Sequence, residues 1–140
     1  MALTGPRPTV SNNLAYVLLV RGDKADLEEA RKLAESAVAA SPDESTYHDT
    51  LARIYARLGQ HDKSVASFRT AIARDPSNVE AMIGLADELT HGDKKAEAAE
   101  AKDLLARINR AVTRGPPLST PTRKQLEGLR AALDLGDGGR

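Results

Sequence analysis

A spacing of 34 residues runs through this chain. Ala30, Ser64 and Ala98 recur at that interval, as do Ala37, Ala71 and Leu105, and Pro42 returns as Pro76. The pair Leu14-Ala15 returns as Leu51-Ala52 after 37 residues and as Leu85-Ala86 after a further 34. The first unit therefore carries about three extra residues, which the pattern places in Gly22 to Leu27. A fixed period of this length marks a supersecondary unit that cannot bury its apolar face alone and must stack on copies of itself.

Inside each unit the apolar residues fall at helical spacing, as in Leu51, Ile54, Tyr55 and Leu58, then Val65, Phe68 and Ile72. Each unit thus reads as two amphipathic helices. Gly22, Gly59 and Gly92 stand where the first helices stop, in positions suited to a left-handed backbone. Ser77 with Glu80 fits a capping box, and Ser41, Pro42 and Glu44 form a similar start. Aromatic residues make up only 3% of the chain, with no Trp, one Phe and three Tyr. A core so poor in rings needs closely approaching helices. Ala30, Ala37, Ser64, Ala71 and Ala98 permit that approach while Tyr55 and Phe68 fill the wider gaps. The competing expectation is an ordinary helix bundle with coincidental spacing.

Leu51, Ala52, Tyr55, Gly59, Ser64, Phe68, Ala71 and Pro76 together resemble the pattern of the tetratricopeptide repeat family, with Ser64 where Ala is usual and His48 where Trp is common. The resemblance covers roughly Ser11 to Asn109. The third unit departs from it, since Gly92 comes one residue early and Lys102 replaces an apolar residue. The family implies an all-α fold: three helix-turn-helix units stacked as a right-handed superhelix. The Asn12-to-Tyr16 and Asp49-to-Ala52 segments look like those of bacterial multi-repeat proteins, several of which serve envelope or exopolysaccharide assembly.

In the family the first helices line a concave face that holds a peptide or helix of a partner protein. Projected onto this chain, that face comprises Asn12, Tyr16 and Val20, then Thr46, Asp49, Arg53 and Arg57, then Glu80, Ile83, Asp87 and Thr90. Tyr16 and Arg53 are the preferred anchors, because Tyr and Arg contribute most at contact centres. The competing reading of the charged members is a solvated helix surface. One subfamily clamps a C-terminal carboxylate, and that clamp is missing: Thr50 replaces an Asn, and Glu80 and Gly84 stand where Lys and Arg are needed. The resemblance implies a protein-interaction adaptor. Self-association as a homodimer or a structural assembly module is the alternative, since a short stack has open apolar ends.

Other chemistries find little footing. Twenty basic residues balance twenty acidic ones, which disfavours a nucleic-acid or anionic-membrane partner. The Lys94, Lys95, Lys102, Arg107 and Arg110 run alternates with Glu97, Glu100 and Asp103, as helix pairing requires. The chain has no Cys, and His48, His61 and His91 lie in separate segments without a second ligand at metal spacing. No nucleophile is aimed at a base and no phosphate-cradling glycine loop follows a strand, so neither an enzyme nor a cofactor or metal site is expected. Without a signal or transmembrane stretch the default expectation is a soluble, cytoplasmic chain.

Beyond the repeats, Gly115, Pro116 and Pro117 interrupt the pattern. A last helix starts near Pro121 behind Thr120, with Leu126, Leu129 and Leu133 on one face and Arg123, Lys124 and Arg130 opposite. It reads as a capping helix over the open end of the stack; folding into the groove and docking on a second chain are the alternatives. The expected organisation is a flexible segment 1–10, a repeat domain 11–114, a linker and capping helix 115–135, and a flexible tail 136–140.

Overall fold

The computed structural model describes residues 7–92 and 94–136. The segments 1–6 and 137–140, read above as flexible, lie outside the described residues. Seven helices account for nearly all the rest, and the fold is an all-α helical repeat. The described chain divides into two compact units that meet at Asp75 and Pro76, inside the expected 11–114 domain.

The first unit holds two hairpins: α1 (Pro8–Arg21) with α2 (Lys24–Ala40), and α3 (Ser45–Arg57) with α4 (His61–Arg74). Helix α1 begins with Pro8 in its first turn, where a missing backbone N–H costs nothing, so it starts inside the segment expected to precede it. The three extra residues of the first repeat are absorbed at the start of α2, where Asp26 lies 3.2 Å from Arg21.

Helix α3 packs against α2 and α1 as well as against its hairpin partner α4. The shared core joins Ala15, Leu18 and Leu19 of α1, Leu27, Ala30 and Ala34 of α2, and Leu51, Ile54 and Tyr55 of α3. The alanines in it are fully buried, which brings helix backbones together without a large side chain between them. In the second hairpin, Ser64 is completely buried and donates to the Ala52 carbonyl at 2.8 Å, so a hydroxyl serves where the family uses a methyl. Ser45 likewise donates to the Ala71 carbonyl at 2.7 Å.

Two expected stops form as left-handed glycines, Gly22 at φ 79° and Gly59 at φ 76°. After α3 the Gln60 N–H reaches the Tyr55 carbonyl at 2.9 Å and the Gly59 N–H reaches Ala56 at 3.1 Å, the paired bonds of a Schellman ending. The third stop differs: α5 closes on His91 in a right-handed conformation, φ −90°, and the Gly92 N–H bonds back to Leu89 at 3.2 Å. The expected helix starts shift as well. Ser41 and Pro42 lie in the turn after α2, and α3 starts at Ser45 without a side-chain cap.

The second unit contains α5 (Val79–Thr90), α6 (Lys95–Arg114) and α7 (Thr120–Gly136). Asn78, rather than Ser77, caps α5 by accepting from the Ala81 N–H at 3.0 Å; its shorter reach to the backbone suits that position. Ser119, one residue before the expected Thr120, starts α7, and its Oγ lies 3.4 Å from the Thr122 N–H. The buried stripe of α6 is Ala101, Leu104 and Ile108, three residues later than the 34-residue period places it, so Ala98 is exposed and Lys102 points to solvent. Lys102 at the expected core position is the physical cause, since an ammonium cannot enter that core unpaired.

Helix α7 packs on α5 and, less extensively, on α6, with Leu126, Leu129 and Leu133 all buried and Arg130 donating to Asn109 Oδ1 at 3.1 Å. Among the described residues no helix is long and apolar enough to cross a membrane.

Gly22→Ala is expected to destabilise the chain more than Gly59→Ala in urea melts. Both force an L-residue into a left-handed backbone at about 1–2 kcal/mol. At Gly22 a Cβ would also sit 2.5 Å from Arg57 Nη2, whereas at Gly59 it meets nothing within 4 Å. Truncation after Arg114 is expected to lower the melting temperature and raise binding of an apolar dye, because each buried leucine contributes roughly 1.5–3 kcal/mol. A truncated chain that melts unchanged and binds no dye would show that α7 covers nothing that needs covering.

Candidate partner-binding face

In the first unit α1 and α3 lie side by side and run parallel. Near their starts the Thr9 and Tyr47 hydroxyls share a hydrogen bond at 2.9 Å, and near their ends the Arg57 guanidinium sits against the bare Cα of Gly22. Positions 37 residues apart therefore become lateral neighbours. Asn12 pairs with Asp49, Tyr16 with Arg53, and Val20 with Arg57, which arranges the sequence-predicted residues into rungs.

The rungs grade from buried to exposed. Asn12 and Asp49 are buried, Tyr16 is half-exposed beside a partly buried Arg53, and Val20 and Arg57 are exposed. Thr46 is exposed at the start of α3. Asp49 Oδ1 accepts from Arg53 Nε at 2.9 Å, and Arg53 Cζ lies 5.7 Å from the centre of the Phe68 ring. The guanidinium is thus oriented by a carboxylate on its own helix and an aromatic face on α4. On α1 the register equivalent of Arg53 is Tyr16, which supplies no donor to its rung, and Asn12 Oδ1 is buried without a hydrogen-bond partner. The first unit accordingly offers an apolar edge, Tyr16 and Val20, next to a cationic edge, Arg53 and Arg57.

In the second unit the same register falls on Ile83, Asp87 and His91 of α5. Ile83 is fully buried, contrary to its expected exposure, because its register is the innermost one, the one that buries Asn12 and Asp49. Glu80 is exposed and Asp87 half-buried. Thr90 lies off the row, and its Oγ1 donates to the Asp87 carbonyl at 2.6 Å. The row member passed over is His91, exposed, with Nδ1 2.7 Å from that same carbonyl. Stepping 34 residues from Arg57 finds it.

Behind the row, Tyr55 donates to Glu35 Oε2 at 2.7 Å, and Glu35 shares Arg31 with Glu28 at 3.0 and 3.1 Å. Burial first, and then the hydrogen bond to the Glu35 carboxylate, push the Tyr55 phenol up to about 12. His48 has no catalytic geometry: its Nε2 donates to the Pro42 carbonyl at 2.8 Å. Among the described residues no three His, Cys, Asp or Glu side chains gather as a metal would need.

Residues 50–116 match the family model described as tetratricopeptide repeat. The chain is similar over 96% of its length, at TM-score 0.74 and 20% identity, to 84% of the Sgt2 TPR domain from Aspergillus fumigatus. This chain is a tetratricopeptide-repeat protein. Its repeats are 34% identical over 116 residues to the cellulose synthase operon protein C of Xanthomonas axonopodis pv. citri; the match takes in 81% of this chain and 7% of that relative. Its fold is also similar, at TM-score 0.66 and 20% identity, to the Yersinia enterocolitica type III secretion chaperone SycD solved in complex with a peptide of the translocator YopD, covering 90% of this chain and 95% of that one.

The tie between the first two tetratricopeptide units has a pH signature. The neutral Tyr55 phenol is favoured in the fold, so its contribution is complete below about pH 10, the usual tyrosine value. It is lost as pH rises through about 12. Urea midpoints are expected to fall between pH 10 and 12, and Tyr55→Phe, costing about 1–2 kcal/mol at pH 7, should remove much of that slope. Ultraviolet titration of the phenols against the Phe variant checks the assignment.

Proposed function

We propose that this protein is an interaction module that holds a peptide or helix of a partner protein along the first helices of its repeats. The observation that carries the reading is the rung Tyr16–Arg53: a half-exposed ring beside a guanidinium already oriented by Asp49 and Phe68. An arginine held in place loses less side-chain entropy on binding than a free one, so more of its contact energy appears as affinity. Tyr16 and Val20 suit an apolar side chain of the ligand, while Arg53 and Arg57 suit carbonyl oxygens or a carboxylate beside it. Thr46 and Asp49 in the first unit, and Glu80, Asp87 and Thr90 in the second, are the polar members of the proposed set. The inner residues Asn12 and Ile83 support the face from beneath. That the SycD fold was solved with a bound peptide supports this use of the architecture.

A second reading rests on the relative named for a cellulose synthase operon, of which this chain matches a small part. On that reading the module contributes to assembly of a polysaccharide-producing apparatus by gripping another of its proteins. Both readings use the same row, and neither invokes catalysis.

A partner peptide identified by affinity capture and then titrated by fluorescence polarisation provides the test. The double variant Tyr16→Ala with Arg53→Glu is expected to weaken binding by roughly thirty-fold or more, the effect of losing a contact centre. Its helical circular dichroism should persist. Unchanged affinity in the folded double variant would move the contact off this row.

A further inference from the structure

Helix α1 carries a second face that the proposed binding row does not use. Among the described residues the large apolar side chains left exposed all belong to α1: Val10, Leu14, Tyr16, Val17 and Val20. Three of them, Val10, Leu14 and Val17, follow each other at four and three residues and form one stripe. Tyr16 and Val20 lie to the side of it, on the row.

The internal repeat shows what such a stripe is shaped to meet. Its positions recur in α3 after 37 residues as Tyr47, Leu51 and Ile54. In α3 these residues are 8%, 6% and 0% exposed, because α1 and α2 cover them; in α1 they are 57%, 44% and 54% exposed. The stripe is therefore the mating face of a repeat helix with its neighbour missing. It is also uncharged from Pro8 to Val20, and the one charge that ends the helix, Arg21, lies against Asp26. A face of three adjacent aliphatic side chains favours an apolar helical occupant over a charged or extended one.

We infer that the Val10–Leu14–Val17 face of α1 joins a second copy of this chain in a two-fold dimer, α1 against α1. In a second copy, among the described residues, α1 is the helix that returns exposed large aliphatic side chains. The outward face of α7 is instead charged, with Arg123, Lys124, Glu127 and Arg130 exposed, which disfavours a head-to-tail contact. A two-fold axis through Leu14 sets it against its own copy and Val10 against Val17 of the partner subunit. The antiparallel helices also oppose their dipoles, so no like ends meet. The proposal deepens the self-association reading of the sequence and leaves the Tyr16–Arg53 row uncovered on its neighbouring face.

The chain has no cysteine, so single introduced thiols report position without background. Light scattering over a concentration series is expected to move from 15.0 kDa towards twice that mass. Leu14→Glu should keep one-chain mass at every concentration with unchanged helical circular dichroism, since its site is solvent-facing in the single chain. With Leu14→Cys a short bismaleimide should cross-link pairs in high yield, whereas Ser36→Cys, on the exposed side of α2, should not. One-chain mass for the unaltered protein throughout would overturn the proposal, as would a dimer that survives Leu14→Glu or that cross-links through Ser36→Cys and not Leu14→Cys. Retention of partner-peptide affinity by Leu14→Glu separates this outcome from any failure of the row.

Discussion

The close approach of helix backbones at fully buried small residues is the constraint on which the first unit depends. Ala15, Ala30, Ala34 and Ala52 have no exposed surface, and between them α3 comes near enough to both α1 and α2 to share one core. With a single Phe and three Tyr in the chain, dispersion contacts must come from proximity, since bulk is scarce. A larger side chain at any of these alanines would part the helices and forfeit contacts along their whole length. The Thr9–Tyr47 and Ser64–Ala52 hydrogen bonds are available only because that approach is close.

The same constraint makes the helices do two tasks. Once α1 and α3 are parallel neighbours, residues one repeat apart line up laterally, and a row emerges whose inner members are buried and whose outer members face solvent. Arg53 illustrates the coupling of packing to recognition. Its guanidinium leans on Phe68, a core residue of α4, and on Asp49 one turn earlier, so the position of a surface charge is set by the interior of the hairpin. Helix α1, with apolar residues on nearly every face, is the exception among first helices. Its counterpart α3 buries the equivalent stripe, and the difference lies in the neighbour rather than in the residues.

Much of this was legible in the residues, and the places where it was not share a cause. The period, the hairpins and the left-handed Gly22 and Gly59 follow from local geometry, because spacing and the absence of a β-carbon act within a few residues. The third repeat misled at Ala98, where the period continued in composition but Lys102 forced the buried stripe of α6 three residues onward. Helix starts drifted by a residue at Ser77 and Ser119 for a similar reason. Neighbouring Ser, Asn and Thr compete for the same backbone donors at nearly equal energy, and the surrounding turn chooses among them. Of the candidate face, the register was readable and the depth was not: Ile83 and Asp87 are both on the row, and only the fold shows that one is buried.

By itself the sequence determined a helical repeat of about 34 residues, with the identity of the paired helices and the register that aligns Tyr16 with Arg53, since periodicity and side-chain size are properties of the chain. Tertiary structure alone decided which members of that register reach solvent, that Asp49 and Phe68 orient Arg53, that Tyr55 is buried against Glu35, and that the α1 stripe lacks the cover α3 receives. Those outcomes depend on distances between residues far apart in the chain, and no local pattern carries the desolvation that an approaching helix imposes.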